Sequence, residues 1–232
     1  MTSQFAFRVL AAASALALMA GAAQAQDGVG PKLSYNLGIA SDYVFRGVSQ
    51  TLEDPQIFGG VDLTADKFYA GTWASKVDFG DKTDAEFDLY AGYRPTVDGA
   101  TLDFGVIYYG YLGAPKGADY GNIELKAAAS VPAGNGSLGA AVYYSPDSFG
   151  AADEAVYYEL NGSYPVAARW IVSAAVGRQT YEGSGDYATW NVGAAYALTD
   201  KLALDLRYHD TNQHGFGKTY GARAMASLKV VF

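Results

Sequence analysis

The chain closes on a stretch with two unlike faces. From Tyr220 to Phe232 an apolar row, Tyr220, Ala222, Ala224, Ala226, Leu228, Val230 and Phe232, recurs at spacing two. A largely polar row, Gly221, Arg223, Met225, Ser227, Lys229 and Val231, fills the alternate positions. Spacing two places the rows on opposite faces of an extended strand. Thirteen extended residues reach roughly 40 Å, more than most globular strands and enough to cross a bilayer at a tilt. An ordinary amphipathic strand of a soluble all-β protein carries the same alternation, so the rest of the chain has to decide between water and lipid.

The pattern recurs about twelve times, in segments of about ten residues separated by turn clusters. The first segment reads as Leu33 to about Arg46, with Leu33, Tyr35, Leu37, Ile39, Tyr43 and Phe45 in its apolar row. In the fourth, Ala85, Phe87, Leu89, Ala91 and Tyr93 oppose Glu86, Asp88, Tyr90, Gly92 and Arg94. The eleventh sets Leu202, Leu204, Leu206 and Tyr208 against Ala203, Asp205, Arg207 and His209. Short turns such as Asp66-Lys67 and Val97-Asp98-Gly99 alternate with longer polar loops such as 78–84 and 146–153. Aromatics (Tyr93, Tyr108, Tyr144, Tyr164, Trp170, Tyr196, Tyr208, Phe232) sit near the ends of apolar rows, as interfacial girdles require. The expected fold is all-β: a transmembrane antiparallel up-and-down β-barrel of about 12 strands, closed by pairing the last strand with the first.

Residues 1–25 read as a cleaved secretory signal peptide, with Arg8 before an apolar run from Val9 to Ala23 and the exit Ala23-Gln24-Ala25. Residues 26–232 are then the barrel, and removing Arg8 takes the formal charge from −8 to −9. The acidic balance argues against a nucleic-acid partner. With no Cys among 232 residues, disulfides and thiolate metal sites are excluded. The final Phe232 resembles the terminal residue of bacterial outer-membrane barrels, and that resemblance implies recognition by the barrel assembly machinery. Ser41 to Thr51, SDYVFRGVSQT, resembles the N-terminal motif of the TorF-type family of proteobacterial putative porins. Residues 85–93 and 102–113 are similar to that family too. The resemblance implies an outer-membrane barrel and a channel, with no particular solute.

Charge on the polar rows carries the functional reading. Asp42, Asp62, Glu86, Asp88, Asp103, Glu124, Glu159 and Asp205 face inward, as do Arg46, Arg94, Lys126, Arg207, Arg223 and Lys229. Arg or Lys facing lipid near the midplane would cost about 2–4 kcal/mol, which puts these charges in the lumen. On an extended strand Asp42 and Arg46 stand about 13 Å apart, so each needs a partner on a neighbouring strand. Inward small residues (Gly38, Gly60, Gly92, Gly105, Ala128, Gly139, Gly193, Gly221) reduce filling and favour a passage. The expectation is a porin-like channel in the bacterial outer membrane for passive diffusion of small hydrophilic solutes, with no cofactor and a weak preference for cations. The alternative is a non-conducting structural barrel, with full pairing of the lining charge. A hydrolase using His209 beside Asp210, or a metal held by His209, Asp210 and His214, is the weakest reading; no G-x-S-x-G motif accompanies them.

Overall fold

A computed structural model describes residues 30–150 and 153–232; the signal peptide expected at 1–25 lies outside them. Twelve wall strands follow in order: β1 (Lys32–Ala40), β2 (Gln56–Ala65), β3 (Phe68–Lys76), β4 (Ala85–Tyr93), β5 (Ala100–Leu112), β6 (Asn122–Ala133), β7 (Gly136–Ser145), β8 (Ala155–Ala167), β9 (Trp170–Tyr181), β10 (Tyr187–Ala197), β11 (Leu202–Thr211) and β12 (Arg223–Val231). Each pairs antiparallel with its neighbour in sequence, and β12 pairs with β1 through Leu37↔Val230 and Ile39↔Leu228. The barrel is therefore closed and has no free sheet edge along this seam. The five connections on the side of the two chain ends run two to six residues, and the six on the other side five to fifteen. At Asp98–Gly99 both residues take positive φ, 49° and 82°, the twist a two-residue hairpin turn needs.

Burial is inverted relative to a soluble protein. Leu160 is 62% exposed on the outer face, while Asp88 is 0% exposed inside. An apolar outer row against water would aggregate; against lipid it is the solvated face. Ring pairs mark the two rims of that row: Phe68–Tyr93 and Trp170–Tyr196 near the chain ends, and Trp190–Tyr208 toward the long loops.

Among the boundaries that differ from the sequence expectation, two bear on the lumen. The first wall strand ends at Ala40, not Arg46, and Tyr43 is buried inside the barrel instead of facing lipid. The last strand begins at Arg223, not Tyr220. Lys218–Tyr220 forms a 3-10 turn, held where the Arg223 guanidinium donates to the carbonyls of Lys218, Thr219 and Gly221. In both cases an arginine, Arg46 or Arg223, makes the bonds that hold the departing segment.

Candidate functional site

The lumen is crossed by residues 41–55. At Ser41 the chain still bonds the β12 backbone: its N–H donates to the Ala226 carbonyl at 2.9 Å, and its Oγ accepts from Ala226 N–H at 3.0 Å. It then turns inward and forms a small hairpin, Val44–Phe45 against Val48–Ser49. The two turn residues, Arg46 and Gly47, both have positive φ, 47° and 84°. This turn again fits the twist of a two-residue hairpin. A Cβ on Gly47 would collide with Thr189 and Thr211, so the tip rests on β10 and β11. Phe45 packs edge-on against Tyr109, and Tyr43 donates its hydroxyl to Glu86 at 2.7 Å.

Arg46 anchors the hairpin. Its two terminal nitrogens donate to both Glu124 oxygens at 2.7 and 2.8 Å, and one also reaches Gln179 at 3.2 Å. Its guanidinium carbon lies 4.6, 4.9 and 4.4 Å from the ring centroids of Phe45, Tyr143 and Tyr157. Both members of the ion pair are buried. Bidentate geometry, flat aromatic faces and a further donor from Tyr109 to Glu124 offset the desolvation of the two charges. Asp42, at the base, accepts from Ser49 and Thr51 at 2.7 and 2.9 Å and from Arg223 of β12 at 3.2 Å. Asp42 thus has a partner on a neighbouring strand, as the sequence suggests, whereas Arg46 finds its carboxylate across the barrel.

Nearer the chain ends, Asp103 receives Lys126 and Arg94, each at 2.9 Å, and the Tyr69 hydroxyl at 2.7 Å. Asp62 accepts from Tyr90 at 2.5 Å. Arg207 bonds Asp205, Asn191 and Ser173. Glu159 accepts from Tyr157 and Asn161. Glu86 and Asp88 lie inward on β4 and Lys229 inward on β12. Asp88 is fully buried with neither carboxylate oxygen hydrogen-bonded. All fourteen charged residues singled out in the sequence point inward, two of them on the hairpin instead of the wall.

Side chains lie over several of the inward glycines: Phe58 over Gly38, Tyr69 over Gly92 and the Arg207 guanidinium over Gly193. His209 and Asp210 do not form a pair. His209 is buried inside the barrel, while Asp210 bonds His214 at 2.7 Å on the loop side. Successive strand residues point to opposite faces, so the adjacent pair is split.

Over the long-loop mouth, Phe79, Tyr111, Tyr120 and Phe149 form one aromatic cluster, with Tyr120 stacked on Phe149 at 4.4 Å. Tyr120 donates to Asp81 at 2.9 Å, and Asp81 also accepts the Thr83 N–H at 2.7 Å. The Thr83 backbone donor, then its side chain and the Tyr120 hydroxyl, hold the Asp81 carboxyl below the usual carboxylate range.

The inner hairpin is the part that sequence reasoning missed. Its signal was present: Val44-Phe45 and Val48-Ser49 flank a two-residue unit ending in Gly. The alternation of the preceding strand runs on through Tyr43 and Phe45 and conceals it.

The family described as "Bacterial protein of unknown function (Gcw_chp)" matches residues 23–232. No curated protein matches the chain in sequence. Among solved structures, the KdgM porin is similar with a TM-score of 0.59 at 9% identity, over 86% of this chain and 98% of that one. The KdgM porin in complex with disordered oligogalacturonate gives 0.58 at 8% identity, over 86% and 97%. The NanC porin gives 0.57 at 8% identity, over 86% and 98%. At such identities the likeness is one of fold.

Proposed function

We propose that this chain, which belongs to the bacterial Gcw_chp family, is an outer-membrane channel for passive diffusion of small hydrophilic solutes, constricted by its own inner hairpin. The observation that carries this reading is a closed twelve-strand wall with an apolar outside and a charged inside, crossed at one level by residues 42–51. Below that level the inward side chains of Asn36, Asp62, Tyr90 and Ser173 are only half-buried, which fits a vestibule leading up to the hairpin. The inward charges that the sequence marks then line the solute's path. The fold shared with the KdgM and NanC porins supports a channel, and the resemblance of Ser41–Thr51 to TorF-type porins points the same way. Oligogalacturonate belongs to the KdgM complex alone; here the mixed lining charge favours small solutes, with a slight cation preference. Phe232, whose backbone pairs with Tyr35 at the seam, is the proposed handle for the assembly machinery.

A specific observation favours a second reading, a non-conducting structural barrel. Tyr109, Tyr143, Tyr157 and Tyr187 are buried around the hairpin and fill its level of the lumen. Planar-bilayer recording of the refolded protein separates the two. The channel reading requires small, discrete conductance steps that grow when residues 43–50 are replaced by a short Gly-Ser link. A correctly folded barrel that is silent in both forms is structural. A salt-gradient reversal potential favouring anions would sink the cation preference.

A further inference from the structure

Near the mouth, the seam between β12 and β1 is one-sided. β1 stops at Ala40, opposite Ser227, while β12 reaches back to Arg223. Backbone bonds across the seam fall on alternate residues of β12: Phe232 bonds Tyr35, and Ala226 bonds Ser41. The next residue to point that way is Ala224. No backbone group among the described residues bonds its N–H or carbonyl there, because the chain opposite has turned into the lumen. A free sheet edge in a barrel wall is a place where another strand can add. The outer face is bare at the same spot. Ser41, Val192, Leu206, Tyr208, Ala224 and Ala226 line a groove of about 480 Å³. The rim pair Trp190–Tyr208 has no aromatic counterpart on β12, where the outer positions are alanines.

The register of the seam names the segment that fits. Carried on past Ser41, it sets Asp42 against Met225, Tyr43 against Ala224 and Phe45 against Ala222. Tyr43 and Phe45 then continue the outer row of Leu37 and Ile39, and Tyr43 enters the groove beside Tyr208. Asp42 stays inward, where it already bonds Arg223 at 3.2 Å. We infer that residues 41–46 have two seats, the lumen hairpin and an extension of β1 along the free edge of β12, and that the hairpin is a gate that opens by entering the wall. The wall seat gives up the Arg46–Glu124 pair and sets Asp42 against Asp54 of the β2 side, so it is the less populated one. In exchange it pairs the Ala224 backbone and moves two aromatic rings to lipid. Glu86 and Glu124 are then left facing an open, hydrated lumen, which limits the cost of losing their partners. The gate rests on the channel reading, since only a channel has something to open.

The natural chain has no Cys, so an introduced pair is unambiguous. In the lumen seat the Tyr43 side chain is inside, bonded to Glu86, while Ala224 belongs to the outer row. Side chains that point apart across the wall cannot be bridged; in the wall seat the two are cross-strand neighbours. The full chain carrying Tyr43→Cys/Ala224→Cys is refolded under reductant and then oxidised. The disulfide is expected to form, read as altered migration of the denatured chain on a non-reducing gel. Single-channel conductance is expected to rise to that of the form with the Gly-Ser link and to fall back with dithiothreitol. Tyr43→Cys/Leu228→Cys, in the same outer row but out of register, is expected to stay unlinked. Should the first pair lose heat-modifiable gel migration, Phe45→Cys/Ala222→Cys, in the same register, replaces it. A folded barrel that forms no disulfide, or links the out-of-register pair equally well, overturns the second seat. A disulfide that leaves conductance unchanged while the Gly-Ser form conducts overturns the gate and keeps the channel. Folded barrels silent in every form, the Gly-Ser one included, overturn the channel and the gate with it.

Discussion

At Arg46 three demands meet in one residue: a positive φ, a buried charge and a position in the middle of the lumen. Its bond pair to Glu124 makes the hairpin depend on a carboxylate 78 residues away. Removing one member leaves the other buried and unpaired, so Arg46→Ala or Glu124→Gln is expected to lower unfolding stability by about 3–5 kcal/mol. The double change Arg46→Met/Glu124→Leu is expected to recover most of that loss. Urea unfolding in detergent tests both; a double variant as weak as the singles would show that the pair does more than satisfy itself. Asp88 makes the opposite case. It is buried beside Glu86 with no hydrogen bond, so Asp88→Asn is expected to raise the unfolding midpoint. A lowered midpoint would mean that Asp88 is held by a partner. That Glu86, Asp88 and Glu124 face inward was legible from spacing two, whereas Arg46 reaches the lumen on the hairpin. Their partners were not, because alternation fixes a side chain's face and says nothing of who stands opposite.

The inner hairpin and the mouth loops are the elements with most to lose from small changes. Gly47→Ala would place a methyl against Thr189 and Thr211 at a φ of 84°. The expected loss is about 1–3 kcal/mol together with a raised channel conductance, as the tip is pushed off β10 and β11. Unchanged conductance would place the constriction elsewhere. On the wall, a Cβ on Gly38 would meet the Phe58 ring and the Leu228 carbonyl. Gly38→Ala is accordingly expected to lose about 1–3 kcal/mol in the same urea assay, and Phe58→Ala is expected to relieve part of it. At the mouth, Asp81 has a folded pKa below its unfolded one. Its contribution is therefore fully present above the unfolded value, about 3.9, and disappears as pH falls through the lower folded value. Amide exchange at Thr83 is expected to stay protected at pH 5 and to open at strongly acid pH, and Asp81→Asn is expected to abolish that acid step. Many element boundaries were legible where Gly, Pro or Asp punctuated the alternation. The boundary at Ala40 was not, because Tyr43 and Phe45 resume the apolar row after Ser41-Asp42.

On the scale of the whole molecule, the barrel is a wall with an inside-out distribution of polarity and one internal strut. Closure follows from an even number of two-faced strands whose ends lie on the same side, since an open edge at membrane depth would leave backbone groups unpaired. The strut is a matter of filling: twelve strands enclose a space wider than one layer of side chains. The loop most able to enter is the one carrying apolar residues and a charge that the opposite wall can pair.

The sequence by itself determined the strand count, the alternation of turns and loops, the row that meets lipid and the row that holds the charge. Each of these is local, carried by a period of two and by the residues that interrupt it. Only the tertiary structure decided where residues 41–55 go. Tyr43 and Phe45 continue the apolar row as well as any wall residues, so spacing cannot tell lipid from lumen at that point. The choice is made by Glu86, Tyr109 and Glu124, which sit on β4, β5 and β6 and come within reach of Tyr43, Phe45 and Arg46 once the barrel has closed.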